Sequence, residues 1–127
     1  MSEAPALIAD VRPLTPDERG LLEWLLNHGT PDAAAYAPQL ALVSVASRCG
    51  CGCPTIDLAV GGRSASLGSP STILADAMGV TREGVRVGVI LHGREGLISE
   101  LEVYSVAGHE GAFSLPRTED LEAFPNI

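Results

Sequence analysis

The most regular hydrophobic pattern in the chain predicts a helix from Pro16 to His28. Its apolar side chains recur at helical spacing: Leu21, Leu22, Leu25 and Leu26. Thr15 supplies an N-cap hydroxyl, Pro16 fills the first helical position and Glu18 completes a capping box. Gly29 follows as a C-terminal stop. A second, shorter helix is expected from Thr30 through Tyr36, ending before Pro38.

After the second helix, short β-branched runs separated by glycine-rich turns predict antiparallel strands. Strands at Leu42–Arg48 and Thr55–Val60 flank a cysteine-rich turn, and Gly61–Ser71 is a loop. The run Ile73–Thr81 favours a strand, although its pattern also suits a helix.

The last predicted hairpin has the clearest alternation. Apolar residues alternate on both sides of its turn: Val85, Val87, Val89 and Leu91 before it, and Leu97, Leu101 and Val103 after it. A turn at Gly93–Gly96 would set Leu91 opposite Leu97 and bury every apolar side chain on one face. The same register would set Arg86 opposite Glu102 on the other face.

Together these elements predict a single α+β domain over residues 1–127. Amino-terminal helices would pack on an antiparallel β-sheet of four to five strands. The residues beyond Gly108 hold two prolines and several acidic residues, so we expect an irregular tail there.

Composition and charge narrow the classes of partner. Sixteen acidic and eight basic residues give a formal net charge of −8, which disfavours nucleic acid and anionic membranes. Met1–Val11 lacks the basic cluster of a secretory signal, and no apolar run reaches the roughly 20 residues of a bilayer span. We therefore expect a cytoplasmic protein, in a compartment that keeps thiols reduced. The odd count of three cysteines also argues against a disulfide framework.

The chemically distinctive feature is the run from Cys49 to Cys53, in which cysteine and glycine alternate. Three thiolates gathered at one point would suit a soft divalent metal such as zinc, and the preceding Arg48 would favour the thiolate form. The predicted metal ligands are Cys49, Cys51, Cys53 and, as the fourth, His92. Other candidates for the fourth ligand are His109, His28 or a carboxylate.

Strand register decides whether these sulfurs converge. A three-residue loop with Cys49 opposite Cys53 would split the apolar residues between the two faces. A two-residue turn would set Val45 opposite Ile56 on one apolar face and point the outer thiols to opposite sides. We expect the second register, and hence passive hairpin cysteines, unless a β-bulge restores convergence near the turn. A third alternative is redox chemistry at an exposed Cys51 thiol.

Other polar residues give weaker signals. His92 follows a strand and is expected to be a solvated strand-end side chain when it is not a ligand. Glu100, Glu102 and Tyr104 lie on the outward face of the last strand and could form an acidic patch. No nucleophile or phosphate-loop motif is present, so no catalytic residue is nominated and an enzyme is not expected.

Three stretches of the sequence resemble a family of short uncharacterised bacterial proteins with an R-C-G-C-G-C-P hairpin motif. They are Arg12–Arg19, Arg48–Leu58 and Leu101–Tyr104. The resemblance covers most of the chain and implies one domain. That family has no assigned activity, so the resemblance implies no site residues.

The sequence thus favours a non-catalytic binding or interaction domain. Its acidic surface would suit a basic protein partner, and exposed strand edges would allow a homodimer. The alternative is a thiolate site, binding zinc or performing thiol redox chemistry, at Cys49, Cys51 and Cys53.

Overall fold

The structure is a computed structural model that describes residues 7–123. The described chain contains two α-helices, α1 (Pro16–Asn27) and α2 (Ala33–Tyr36), and two 3-10 helices at Ala37–Leu42 and Thr118–Asp120. Its strands are β1 (Leu7–Pro13), β2 (Val43–Cys49), β3 (Ile56–Val60), β4 (Thr72–Val80), β5 (Arg86–Arg94), β6 (Leu97–Ser105) and β7 (Glu122–Ala123).

All strands join one antiparallel sheet in the order β1-β2-β3-β6-β5-β4-β7. The α+β class is confirmed, but the expected count of four to five strands is wrong, because the two edge strands β1 and β7 were not anticipated. Strand β1 carries no in-and-out pattern to recognise, since Leu7, Ile8 and Val11 are all exposed. It also precedes both helices, so the helices are not the first elements of the chain.

Helix α1 matches the predicted helix within one residue, ending at Asn27 rather than His28. The predicted capping box is formed. Glu18 N–H donates to Thr15 Oγ1 at 3.1 Å, and Thr15 N–H donates to Glu18 Oε1 at 2.8 Å. The four leucines of the helix are buried in the core, as their spacing predicts.

An ion pair fastens β1 to the start of α1. Arg12 donates through Nη1 and Nη2 to the two carboxylate oxygens of Glu18, at 2.8 and 3.0 Å. Burial alone would raise the pKa of Glu18, but the hydrogen bonds from Arg12 and Thr15 hold it below its ordinary value. Strand β1 is thus attached to helix α1 by a bidentate ion pair.

Helix α2 is followed directly by a 3-10 helix that is longer than α2 itself. Helix α2 covers Ala33–Tyr36, so it begins later than the expected Thr30. Pro38 does not end the helical path, which continues as a 3-10 helix over Ala37–Leu42. Pro38 lies in the first turn of that helix, where the missing N–H costs no hydrogen bond. None of the helices within residues 7–123 combines the length and apolar character that a bilayer crossing requires.

The ambiguous run Ile73–Thr81 is a strand, β4, which pairs along its length with β5. Its inward residues Leu74, Ala75 and Ala77 are buried and join the hydrophobic core. The pattern also suited a helix because Ile73, Leu74, Ala77 and Met78 recur at helical spacing. In the strand Ile73 is exposed, whereas the adjacent Leu74 and Ala75 are both buried where the register shifts.

The expected register of the β5–β6 hairpin is wrong. Val89 lies opposite Val103 and Leu91 opposite Leu101, while Glu102 faces Ile90 and not Arg86. The strands run further than expected, to a two-residue turn at Glu95 and Gly96, whose φ values of 55° and 76° fit a type I′ turn. A register shift between His92 and Gly93 leaves Ser99 as an extra residue in β6. That bulge allows Ile98 and Leu101, three residues apart, both to be buried.

A pair of glycine substitutions tests how tightly the chain after α1 packs against β4. A Cβ on Gly29 would collide with the carbonyl oxygen of Leu74 and lie 2.9 Å from Ala33 Cβ, whereas a Cβ on Gly20, inside α1, meets no atom within 4 Å. We expect Gly29→Ala to lower the free energy of unfolding by about 1–3 kcal/mol. The matched control Gly20→Ala should raise it by up to about 1 kcal/mol, because alanine is the better helix former. Urea denaturation followed by circular dichroism measures both, and equal effects would contradict the packing of Gly29 against β4.

Candidate metal centre

The cysteine turn is closed by hydrogen bonds at its base. Cys49 N–H donates to the carbonyl oxygen of Thr55 at 3.1 Å. The hydroxyl of Thr55 then donates to Val103 O at 3.0 Å and accepts from Val103 N–H at 2.9 Å. Because Ile56 pairs with Leu101, the same register sets Pro54, which has no N–H, opposite Val103. The threonine hydroxyl therefore supplies the donor to Val103 O that proline lacks, and its two hydrogen bonds anchor the turn to β6.

A bulge in β2 sets the direction of the turn. Val43 lies opposite Val60 and Val45 opposite Leu58, and the register shifts between Val45 and Ser47, so that Ala46 is the extra residue. The expectation that Val45 faces Ile56 is wrong. The observed pairing buries the same apolar face two residues further along, and the bulge then turns the end of the strand.

This path brings the three sulfurs together. Cys49 Sγ lies 2.9 Å from Cys51 Sγ, and Cys51 Sγ lies 3.0 Å from Cys53 Sγ. All three sulfurs are within 4.8 Å of one another. The expectation that the outer thiols point to opposite sides is therefore wrong, and the bulge that was the stated exception is present.

Glycine is required at one point of the turn. Gly52 has a φ of 93°, and a Cβ there would lie 3.3 Å from Ala112 Cβ. A side chain at this position would strain the backbone and press against the segment that follows β6. The alternation of cysteine with glycine in the sequence thus has a steric cause at this position.

The electrostatic environment distinguishes the three thiols. Burial raises the pKa of Cys49 to about 11. Hydrogen bonding with Cys49 and Cys53 lowers the pKa of Cys51, which is also the exposed member of the three. Arg48, expected to favour the thiolate form, lies 3.8 Å through Nε from Asp10 of β1. The first thiolate therefore forms at the centre of the cluster.

His92 belongs to a different cluster. Its Nε2 lies 2.8 Å from Glu102 Oε1, and its Nδ1 lies 2.5 Å from Ser71 Oγ. It groups with Glu100 and Glu102 on the outer face of the sheet, whereas the three cysteines form a group of their own. The structure thus unites the three sulfur ligands proposed from the sequence and does not join His92 to them.

The outer face contains more chemistry than the sequence indicated. Glu100 receives a hydrogen bond from Arg94 Nη1 at 3.0 Å. Asp76 has a raised pKa, first because it is partly buried and second because Glu102 lies nearby, and its Oδ1 has no partner among the described residues. Ser71 and Asp76 were not anticipated, because finding them required the pairing of β4 with β5, which sets Ile73 opposite His92 and Asp76 opposite Ile90.

The other two histidines differ in how their rings are engaged. His28 Nδ1 lies 2.8 Å from Trp24 O, and its ring stacks on Trp24 at a centroid distance of 4.0 Å. The ring of His109 meets Phe113 edge-on at 5.8 Å. Within residues 7–123, no hydrogen bond involves either ring nitrogen of His109.

No family model, curated protein or solved structure matches this chain. The resemblance to short bacterial proteins with the R-C-G-C-G-C-P motif therefore stays a prediction. What the site does must be inferred from its geometry.

The different pKa values of the thiols predict an order of alkylation. In protein treated with a chelator, iodoacetamide at neutral pH should modify Cys51 first and Cys49 last. A rise from 9.0 to about 11 lowers the thiolate fraction of Cys49 roughly 100-fold, and the thiolate is the reactive form. Peptide mass spectrometry over a time course measures the order. Protein unfolded in urea is the control and should lose the preference; fastest labelling at Cys49 in the folded protein would contradict the described geometry.

Proposed function

We propose that this protein is a non-catalytic metal-binding protein that holds zinc through Cys49, Cys51 and Cys53. The observation that supports this most is the convergence of three sulfurs within 4.8 Å in a single turn. Such a donor set is soft, which suits zinc and disfavours magnesium or calcium. The reduced thiols that it requires fit the cytoplasmic location expected from the composition.

The spacing of the sulfurs is compatible with an ion after a small adjustment. A zinc ion with tetrahedral coordination and Zn–S bonds of about 2.3 Å holds two sulfurs about 3.8 Å apart. The sulfurs would therefore separate by a little under 1 Å from their present 2.9 and 3.0 Å. Cys51, the central sulfur of the three, is exposed, so solvent lies beside the sulfur that would move.

An ion at this position would cross-link the turn to itself. The hairpin of β2 and β3 is connected by six residues, Gly50 to Thr55, that are not part of either strand. Bonds from one ion to Cys51 and Cys53 in this stretch and to Cys49 at the end of β2 would remove much of its freedom, and binding energy of that kind adds directly to folding stability.

Thiol redox chemistry is the second candidate, and a separate observation favours it. Cys51 lies within 3.0 Å of both neighbouring sulfurs, and its pKa is lowered. A peroxide could take two electrons and two protons from Cys51 and one neighbour, forming a disulfide with an S–S length of about 2.05 Å while the peroxide is reduced to water or to an alcohol and water. Metal binding is preferred because all three sulfurs converge, whereas a disulfide uses two.

The basic protein partner expected from the net charge stays a prediction. Glu100 and Glu102 do lie on the outer face of the sheet, but Arg94 and His92 already pair with them. A homodimer through the exposed edge of β1 is likewise still a prediction.

Metal analysis of protein purified without chelator tests the proposal. We expect zinc near one equivalent per chain, and loss of at least about 100-fold in affinity when Cys49, Cys51 or Cys53 is replaced by serine, because each change removes a ligand rather than an outer partner worth 10–100-fold. His92→Ala is the matched control and should keep the metal. Zinc at 100 times its Kd should also raise the free energy of unfolding by about 2.7 kcal/mol.

Two results would contradict the proposal. One is three freely titrating thiols with no bound metal and no gain of stability on adding zinc. The other is recovery of a disulfide from protein kept under the same reducing conditions, which would favour the redox candidate.

A further inference from the structure

We propose that His109 supplies the fourth ligand of the zinc ion held by Cys49, Cys51 and Cys53. This inference rests on the metal binding proposed above and adds the residue that completes the site. Closed zinc sites in proteins are almost always four-coordinate, and three cysteines with one histidine is a common set. The turn itself provides three ligands, so the fourth must come from a neighbouring segment.

The segment that follows β6 touches the cysteine turn. The Cβ position of Gly52 lies 3.3 Å from Ala112 Cβ and 3.4 Å from Ala112 Cα. Hydrogen bonds at the base of the turn support this contact, because the Thr55 hydroxyl bonds with both the N–H and the carbonyl oxygen of Val103 in β6. The chain that leaves β6 is thereby held against the turn.

His109 lies within this segment, three residues before Ala112, and its ring is not part of the group of three sulfurs that lie within 4.8 Å of one another. Its N–H donates to Ser105 Oγ at 2.7 Å, which folds the chain back on the end of β6. Its ring packs edge-on against Phe113, the residue next to Ala112. Phe113 in turn packs on the hydrophobic core, so the segment has a fixed anchor close to the sulfurs.

His109 is also the histidine whose ring is free to coordinate. His92 is held from both nitrogens by Ser71 and Glu102. His28 is held by stacking and by a contact to a helix carbonyl. Among the described residues, the ring nitrogens of His109 have no such partner, so a bond to zinc would cost it no existing hydrogen bond.

The backbone on each side of His109 allows the ring to be redirected. Gly108 and Gly111 have φ values of 73° and 90°, and neither has an atom within 4 Å of a Cβ position. Glycine has the widest choice of backbone angles, so the chain can adopt other conformations at both ends of this stretch. Glu110, between them, is the other side chain of ligand type, but imidazole is the usual companion of three thiolates at zinc.

Zinc titration of the full chain against a competing chelator tests this assignment. We expect His109→Ala to weaken binding by roughly 100-fold or more, beyond the 10–100-fold cost of losing an outer partner. His28→Ala, His92→Ala and Glu110→Gln should leave the affinity unchanged. His109 is exposed, so the metal-free His109→Ala variant should keep the thermal denaturation midpoint of the metal-free parent protein.

X-ray absorption at the zinc edge provides a second readout. The parent protein should show three sulfurs near 2.3 Å and one nitrogen at about 2.0–2.1 Å, and His109→Ala should lose the nitrogen while keeping the sulfurs. Unchanged affinity and an unchanged nitrogen shell in His109→Ala would overturn the role of His109 and leave the three-cysteine proposal intact. Weakening by Glu110→Gln instead would also overturn it. Absence of zinc from the parent protein would remove both proposals.

Discussion

The candidate site depends on one extra residue in a strand. Ala46 interrupts the alternation of β2, so Val43 and Val45 can pack against β3 while Cys49 meets Thr55 at the base of the turn. Without the bulge, an apolar face on the β2–β3 pair would force the outer cysteines to opposite sides of the ribbon. The core can pack and the sulfurs can converge because the bulge, which lies between Val45 and Cys49, changes which face of the sheet the following side chains occupy.

Local signals in the sequence predicted the parts of the fold that local interactions determine. Helix α1 was predicted correctly because its cap, its proline and its leucine spacing all lie within a short stretch. The prediction of a strand at β4 is also confirmed, although the sequence pattern there is ambiguous. The hairpin at Glu95 and Gly96 was recognised as a hairpin, but its pairing was displaced, because the turn is shorter than expected and sets Arg94 opposite Leu97. The bulge at Ser99 adds one further residue and has no signature in the alternation. Edge strand β1 was missed because its apolar side chains face solvent.

The candidate site shows the same division. The sequence identified the three cysteines and the need for a neighbour to complete the set. It could not rank the histidines, because the rank depends on what each ring contacts. His92 lies opposite Glu100 only in the observed register, and there it joins a network with Ser71 and Glu102. His109 was one of several other candidates for the fourth ligand, and the path of the chain after β6 gives it a position that no spacing rule describes.

The Thr55 side chain has a consequence for the dynamics of the sheet. Its hydroxyl accepts the amide proton of Val103 and donates to the carbonyl of the same residue. Solvent exchange of that amide therefore requires the threonine rotamer to change, and no backbone ladder has to separate. Val103 would exchange by side-chain motion at the end of β3, independently of the global opening that releases the amides deeper in the sheet.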